Sequence, residues 1–423
     1  MTEQTATAAS VPAAETLTAG SPPTGQAPRA GAAESITLTQ VSKTYPAGGS
    51  SPRGVAAGSR ALREVSLQVE PGTFVVLLGP SGSGKTTLLR CLAGIERVTS
   101  GQIKIGGTMV ADDRVHVPPD RRNLSMVFQD YALWPHLRVR DNVAFALRRE
   151  RLAKPAATAR TQAMLDRVGL GKLADRYPNE LSGGEQQRVA LARALVAGTG
   201  LVLCDEPLSN LDADLRERMR VEISSLVREA GATAIYITHD QAEAFALADQ
   251  IGVLQEGRLV QFGRAEQIYT EPATPFVARF TGLAGEFPVR VSGRAAEAAR
   301  APAGAGDGRD QTVEIDPAGS ALLRPCRARP CGPVPAGDAL LLIRPTGVHL
   351  TGTEAGEHHL AGTVADVAFR GRGYEHAIDI AGHGRLTGVF APVRTDRGET
   401  VGLRLDPAGC HVFAAASQEP AAG

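Results

Sequence analysis

The chain has 423 residues, with 45 Lys+Arg against 45 Asp+Glu and no formal net charge. That length holds two or three domains of ~100–200 residues, and the composition is that of an ordinary folded protein. The charge balance and the 4% aromatic content argue against a general nucleic-acid binder, an anionic-membrane binder or a base-stacking platform.

Residues 1–34 are rich in Ala, Thr, Gly and Pro and poor in large apolar groups. Such a stretch cannot bury enough surface to offset its ordering entropy, so a disordered tail is expected. It has no basic n-region, no apolar h-region and almost no Arg, which fits neither a secretory signal nor a transit peptide. Order is expected from ITLTQVSKTY (36–45), which alternates like a strand. PAGGSSPRGVAAGSR (46–60) reads as a loop and ALREVSLQV (61–69) as the returning strand of a long hairpin. Phe74–Leu78, Leu201–Cys204 and Ala234–Ile237 are short apolar runs without alternation, as in parallel strands buried on both faces. Leu215, Met219, Ile223 and Leu226 recur at helical spacing up to a stop near Gly231. The region 36–275 is therefore α/β around a parallel sheet. Beyond 285 the helical period fades. An Ala-, Gly-, Pro- and Arg-rich tract (294–338) precedes strands expected at 340–345, 359–369, 374–380, 384–390 and 400–405, a small all-β domain. A second disordered tail is expected at 416–423.

No apolar run reaches the ~20 residues of a membrane span, so any membrane role requires a partner. Five scattered cysteines (91, 204, 326, 331, 410) do not read as a disulfide framework and fit a reducing compartment. Cys326 and Cys331 lack a second ligand pair at zinc spacing. His358 and His359 are expected in a solvated turn.

Three motifs carry chemistry. Gly79, Pro80, Ser81, Gly82, Ser83, Gly84, Lys85 and Thr86 fit the phosphate loop G-x-x-x-x-G-K-[ST], between a buried strand and a helix. Its glycines let successive backbone N–H groups, through Thr87, turn toward phosphate oxygens. Lys85 is expected at the β/γ-phosphates and Thr86 at Mg²⁺ of bound ATP. The run LVLCDEP (201–207) ends in two acids: Asp205 to hold the metal shell, Glu206 to orient or deprotonate the attacking water. In LSGGEQQR (181–188), Ser182 and Glu185 form a capping box. Yet two glycines in the first turn are poor helix formers, and they make sense where a phosphate approaches a helix N-terminus.

LSGGEQQR resembles the signature of ABC ATPases, and across 36–275 the motifs follow in that family's order. The resemblance implies a P-loop NTPase domain (35–278) with a helical subdomain at about 130–190. It also implies that two chains sandwich two ATPs, each P-loop closed by the other chain's Ser182, Gly183, Gly184 and Gln186. It further assigns Tyr45 to adenine stacking, Gln129 to the Mg²⁺- and γ-phosphate-sensing loop, Asp212 to the dimer crossing and His239 to the γ-phosphate. The catalytic set is then Glu206, His239, Lys85 and Gln129, and the metal set Thr86, Gln129 and Asp205. The stretch 129–143, with Trp134, Pro135 and His136, is expected to receive a permease. Its bland reading is core packing by Leu133, Leu137 and Val143. Residues 285–415 resemble the OB-like TOBE domain of importer ATPases. The chain is thus expected to be a homodimeric ATP-hydrolysing subunit, cytoplasmic and peripheral on the inner face of the membrane. Its expected partners are a permease and, indirectly, a solute-binding protein, with no nucleic acid. The stretch 115–137 and the tail look most like ferric-iron, polyamine, phosphonate or quaternary-amine importers. The rival reading, a non-transport ABC ATPase of DNA repair or translation, would call for long heptads or a second P-loop; neither is present.

Overall fold

The structure, a computed structural model, describes residues 32–46, 58–209, 211–291, 312–316, 322, 325–353 and 359–415. Residues 1–31 and 416–423 of the expected tails, most of the 46–60 loop and His358 lie outside them.

The chain opens with an antiparallel hairpin, β1 (Ile36–Thr44) and β2 (Arg60–Val69). Next come β3 (Phe74–Leu78), α1 (Lys85–Ala93), β4 (Ser100–Ile105), β5 (Thr108–Ala111) and β6 (Leu124–Val127). The helical region holds α2 (Val139–Ala144), α3 (Lys154–Arg167) and α4 (Gly183–Val196). Then follow β7 (Leu201–Asp205), α5 (Ala213–Glu229), β8 (Thr233–Ile237), α6 (Gln241–Leu247), β9 (Gln250–Gln255), β10 (Arg258–Arg264), α7 (Ala265–Thr270) and α8 (Pro275–Phe280). A four-stranded antiparallel sheet, β2-β1-β4-β5, covers a six-stranded sheet, β10-β9-β3-β8-β7-β6, which is parallel from β9 to β6.

Strands β3, β7 and β8 are buried at every position. Phe74, Val76, Leu78, Val202, Cys204, Ala234 and Tyr236 pack into the layer with α4 and α5. The alternate residues Val75, Leu77, Leu201, Leu203, Ile235 and Ile237 pack against the hairpin and α1. Two apolar layers explain why the runs show no alternation. Met219 and Ile223 of α5 are fully buried, and Gly231 ends that segment at φ 63°.

Among the described residues the C-terminal domain has ten strands: β11 (Gly285–Val291), β12 (Val313–Asp316), β13 (Cys326–Pro330), β14 (Gly337–Ile343), β15 (Val348–Thr351), β16 (Leu360–Phe369), β17 (Tyr374–Ile380), β18 (Gly384–Ala391), β19 (Thr400–Leu405) and β20 (Cys410–Ala414). They form a closed barrel, β11-β12-β13-β20-β14, and a sheet, β15-β19-β16-β17-β18, around one apolar core. The five expected strands are present; β12 and β13 fall within the Ala-, Gly-, Pro- and Arg-rich tract, and β11, β15 and β20 were likewise not among those expected.

Two expectations need correction. The first tail does not extend to residue 34: Glu34 N donates to Gly200 O at 3.1 Å, and Glu34 O accepts from Thr233 Oγ1 at 2.7 Å. His359 is not in a solvated turn, since it is half-buried and its Nδ1 accepts from Leu405 N at 3.0 Å.

Candidate functional site: a phosphate loop at the strand ends

Ligand sites in open parallel sheets gather at the carboxyl ends of the strands, and the motifs converge there. The loop from Gly79 to Gly84 joins β3 to α1. Gly84 caps α1 at φ 101°, where a Cβ would fall 2.5 Å from the Ala61 carbonyl oxygen, so only glycine lets the loop lie against β2. Lys85 Nζ donates to Gly79 O at 2.7 Å and Pro80 O at 3.0 Å, folding over the loop. Burial pulls its pKa down, against the opposing pull of Glu206 and Asp205. Thr86 Oγ1 donates to Asp205 Oδ1 at 3.1 Å. Burial pushes the Asp205 carboxyl up, and the Thr86 bond and Arg90 resist that.

At the end of β7 the backbone turns into the left-handed region at Glu206, φ 45°. Ser209 Oγ donates to Glu206 O at 2.9 Å and Glu206 N donates to Ile237 O at 3.2 Å, which hold the turn. Glu206 Oε2 lies 3.3 Å from Nδ1 of His239, an exposed ring following β8. His239 is followed by Asp240, whose side chain caps α6 through Glu243 N at 3.1 Å.

A cavity of about 580 Å³ opens at the phosphate loop and the end of β7, while His239 lines a smaller adjoining crevice that it shares with Glu206. Ser81, Gly82, Gly84, Lys85, Thr86, Thr87, Gln129, Asp205 and Glu206 line the cavity. Gly79, Pro80 and Ser83 shape the loop without lining it. Tyr45 is not brought to the lining: it is 4% exposed with Lys43 Nζ 4.7 Å above its ring. The signature residues lie elsewhere. Ser182 caps α4, donating its hydroxyl to Glu185 Oε2 at 2.7 Å, while Gln186 Nε2 donates to Pro178 O at 3.0 Å. Gly183 and Gly184 open that helix, and Asp212 caps α5 through Leu215 N at 2.9 Å.

Sequence reasoning missed the far wall of the cavity: Ser59, Arg60, Ala61 and Arg63 from β2 and its approach, Arg90 from α1, and Glu256–Gly257 from the β9–β10 turn. An alternating strand does not announce which neighbour its outward face meets, so no local signal pointed to them.

A phosphate loop whose threonine meets the acid of the adjacent strand, on a sheet of this order, defines a P-loop nucleoside triphosphatase. Comparison with known proteins narrows the class. The ABC transporter family matches residues 62–209 and the TOBE domain matches 341–413. The Fe(3+) ions import ATP-binding protein FbpC of Rhizobium etli is 43% identical over 319 residues, which is 75% of this chain and 83% of that protein. The trehalose/maltose import ATP-binding protein MalK of Thermococcus litoralis is 50% identical over 224 residues, 52% of this chain and 60% of that protein. The spermidine/putrescine import ATP-binding protein PotA of Frankia alni is 44% identical over 322 residues, 76% of this chain and 65% of that protein. The chain belongs to the ATP-binding proteins of ABC transporters, a family of ATPases.

Proposed function

We propose that this chain energises solute import through a membrane permease, hydrolysing ATP as one of a pair of identical subunits. The observation that carries the reading is the Thr86–Asp205 contact on one cavity with Lys85, Glu206 and the loop amides, with His239 meeting Glu206 from an adjoining crevice. Lys85 and the amides of 82–87 hold the phosphates. Glu206 takes a proton from a water as its oxygen bonds the γ-phosphorus, and the bond from that phosphorus to the bridging oxygen of ADP breaks. His239 holds the Glu206 carboxylate and the γ-phosphate. Thr86, Asp205 and Gln129 offer hard oxygen donors that suit Mg²⁺, which when bound neutralises phosphate charge. Ser182, Gly183, Gly184, Gln186 and Asp212 do not line the phosphate-loop cavity of their own chain, which supports their serving the ATP of a second copy. Ferric iron or a polyamine is the cargo class we favour, since FbpC and PotA match across both domains.

Glu206→Gln tests the reading. ATP hydrolysis is expected to fall by at least about 100-fold, with an ATP-bound dimer trapped on size-exclusion chromatography. A monomer under those conditions sinks the pairing.

A further inference from the structure

Arg63 lines the same cavity as the phosphate loop, on β2 beside it. Its backbone is tied to that loop through one residue: Arg63 N donates to Gly257 O at 2.7 Å, and Gly257 N donates to Ser83 O at 3.1 Å. Its side chain is half-buried and makes no ion pair among the described residues. Its Nε is buried without an acceptor among the described residues. Two other cations of the lining have protein partners: Lys85 donates to Gly79 O and Pro80 O, and Arg60 pairs with Glu64 at 3.1 Å. A guanidinium donor held out of water gains most from an anionic acceptor with paired oxygens.

The cavity also has a direction. Glu206 and His239 mark the end where the terminal phosphate reacts, and the crevice they share with Ser209 and Asp240 includes no residue of β2. Arg63 lines the main cavity and not that crevice. Resting on the ATP reading above, we propose that Arg63 is a further nucleotide-binding residue, its guanidinium taking non-bridging oxygens at the sugar-side end of the phosphate chain. It would add affinity for ATP and ADP alike, because both carry those phosphates, and none for the nucleoside.

The test is displacement of a fluorescent ATP analogue from the full chain by ATP, ADP and adenosine. Arg63→Gln is expected to weaken ATP and ADP equally, by about tenfold each, and to leave adenosine unchanged. The KM for ATP should rise by a larger factor than kcat falls. R63K, which keeps the charge, is expected to lie between wild type and R63Q. Unchanged ATP and ADP affinity in R63Q, or a matching loss for adenosine, would overturn the assignment, as would R63K binding no better than R63Q. Lys85→Ala serves as the control. If it binds ATP like wild type, the phosphate-loop reading itself fails, an outcome separate from the fate of Arg63.

Discussion

Glu206 holds a backbone conformation that costs a non-glycine residue of order 1 kcal/mol or more. Its turn persists because Ser209 and Ile237 supply fixed partners, and the strain aims the carboxylate at His239. A second residue under constraint lies far from the site. His411, on β20, is 1% exposed, with Cys331 Sγ 3.8 Å from its Nδ1 and no partner for its Nε2. Burial first, then Arg344 and Arg329, push its pKa down to about 4. The unfolded imidazole titrates near 6.5, so between those values the unfolded chain binds the extra proton. The neutral ring's contribution is complete above pH 6.5 and is lost as pH falls toward 4. At about 1.4 kcal/mol per unit, this amounts to about 3 kcal/mol. Urea titrations at pH 7 and pH 4.5 should show His411→Leu losing about 2 kcal/mol less than wild type over that interval. An equal loss in both would assign the pH dependence to other groups. No single-residue pattern foretold this; a histidine's environment is a property of what packs around it. Lys85, Thr86, Asp205, Glu206 and His239 were legible, because loop-and-strand motifs place their side chains by local geometry.

At the scale of elements, the turn between β6 and α2 is the most heavily braced. Tyr131 and Ala132 are both left-handed, at φ 61° and 45°. Arg193 of α4 donates to both of their carbonyls, at 2.7 and 2.6 Å, with its guanidinium 5.0 Å from the Trp134 ring. Asn142 of α2 is fully buried and holds Trp134 N at 2.9 Å, Trp134 O at 3.1 Å and Leu137 O at 3.0 Å. The ring of Trp134 lies 4.2 Å from that of Phe145, and Pro135 and His136 are exposed. Core packing accounts for Val143 and in part for Leu133, but not for this presented edge. A rigid, partly apolar ridge leading from Gln129 is suited to receiving a permease segment. Trp134→Ala should leave the ATPase rate of the isolated subunit within about twofold of wild type. In reconstituted vesicles it should cut coupled transport by about tenfold; equal loss in both assays would rule the ridge out as the contact. The capping box at Ser182 was readable as four residues of sequence, and both of its bonds form. The Asn142 brace was not, because all four chain atoms it holds are polar backbone groups that look alike everywhere.

At the scale of the whole molecule, Arg344 is a buried tie between the two domains, beside the Arg279–Glu286 pair at 2.7 Å. Arg344, at the end of β14, is 1% exposed and donates to Ala278 O at 2.8 Å, Gly282 O at 2.6 Å and Tyr269 O at 2.7 Å. Its guanidinium lies 4.3 Å from the Tyr269 ring, and that ring packs edge-on against Phe245 of α6, the helix that follows His239. Burial lowers its pKa to about 10, so it stays charged at neutral pH. Ala278, Leu342 and Phe413 add a small apolar seam. Arg344→Ala leaves one buried and two half-buried carbonyls short of a donor, a loss of about 3 kcal/mol. Calorimetry should then resolve two unfolding transitions where wild type gives one; a single, merely lowered transition would show that the remaining contacts couple the domains. The ATPase domain, its parallel sheet, its phosphate loop and its helix caps were set by the sequence itself, since hydrophobic period, glycine spacing and capping residues act within a few residues of one another. Only the tertiary structure decided that Tyr45 is buried, that Arg63 and Glu256 wall the cavity, that Glu34 is anchored, and that Arg344 bolts one domain to the other. Those contacts join segments far apart in the chain, and a long-range pairing leaves no periodic trace in either segment.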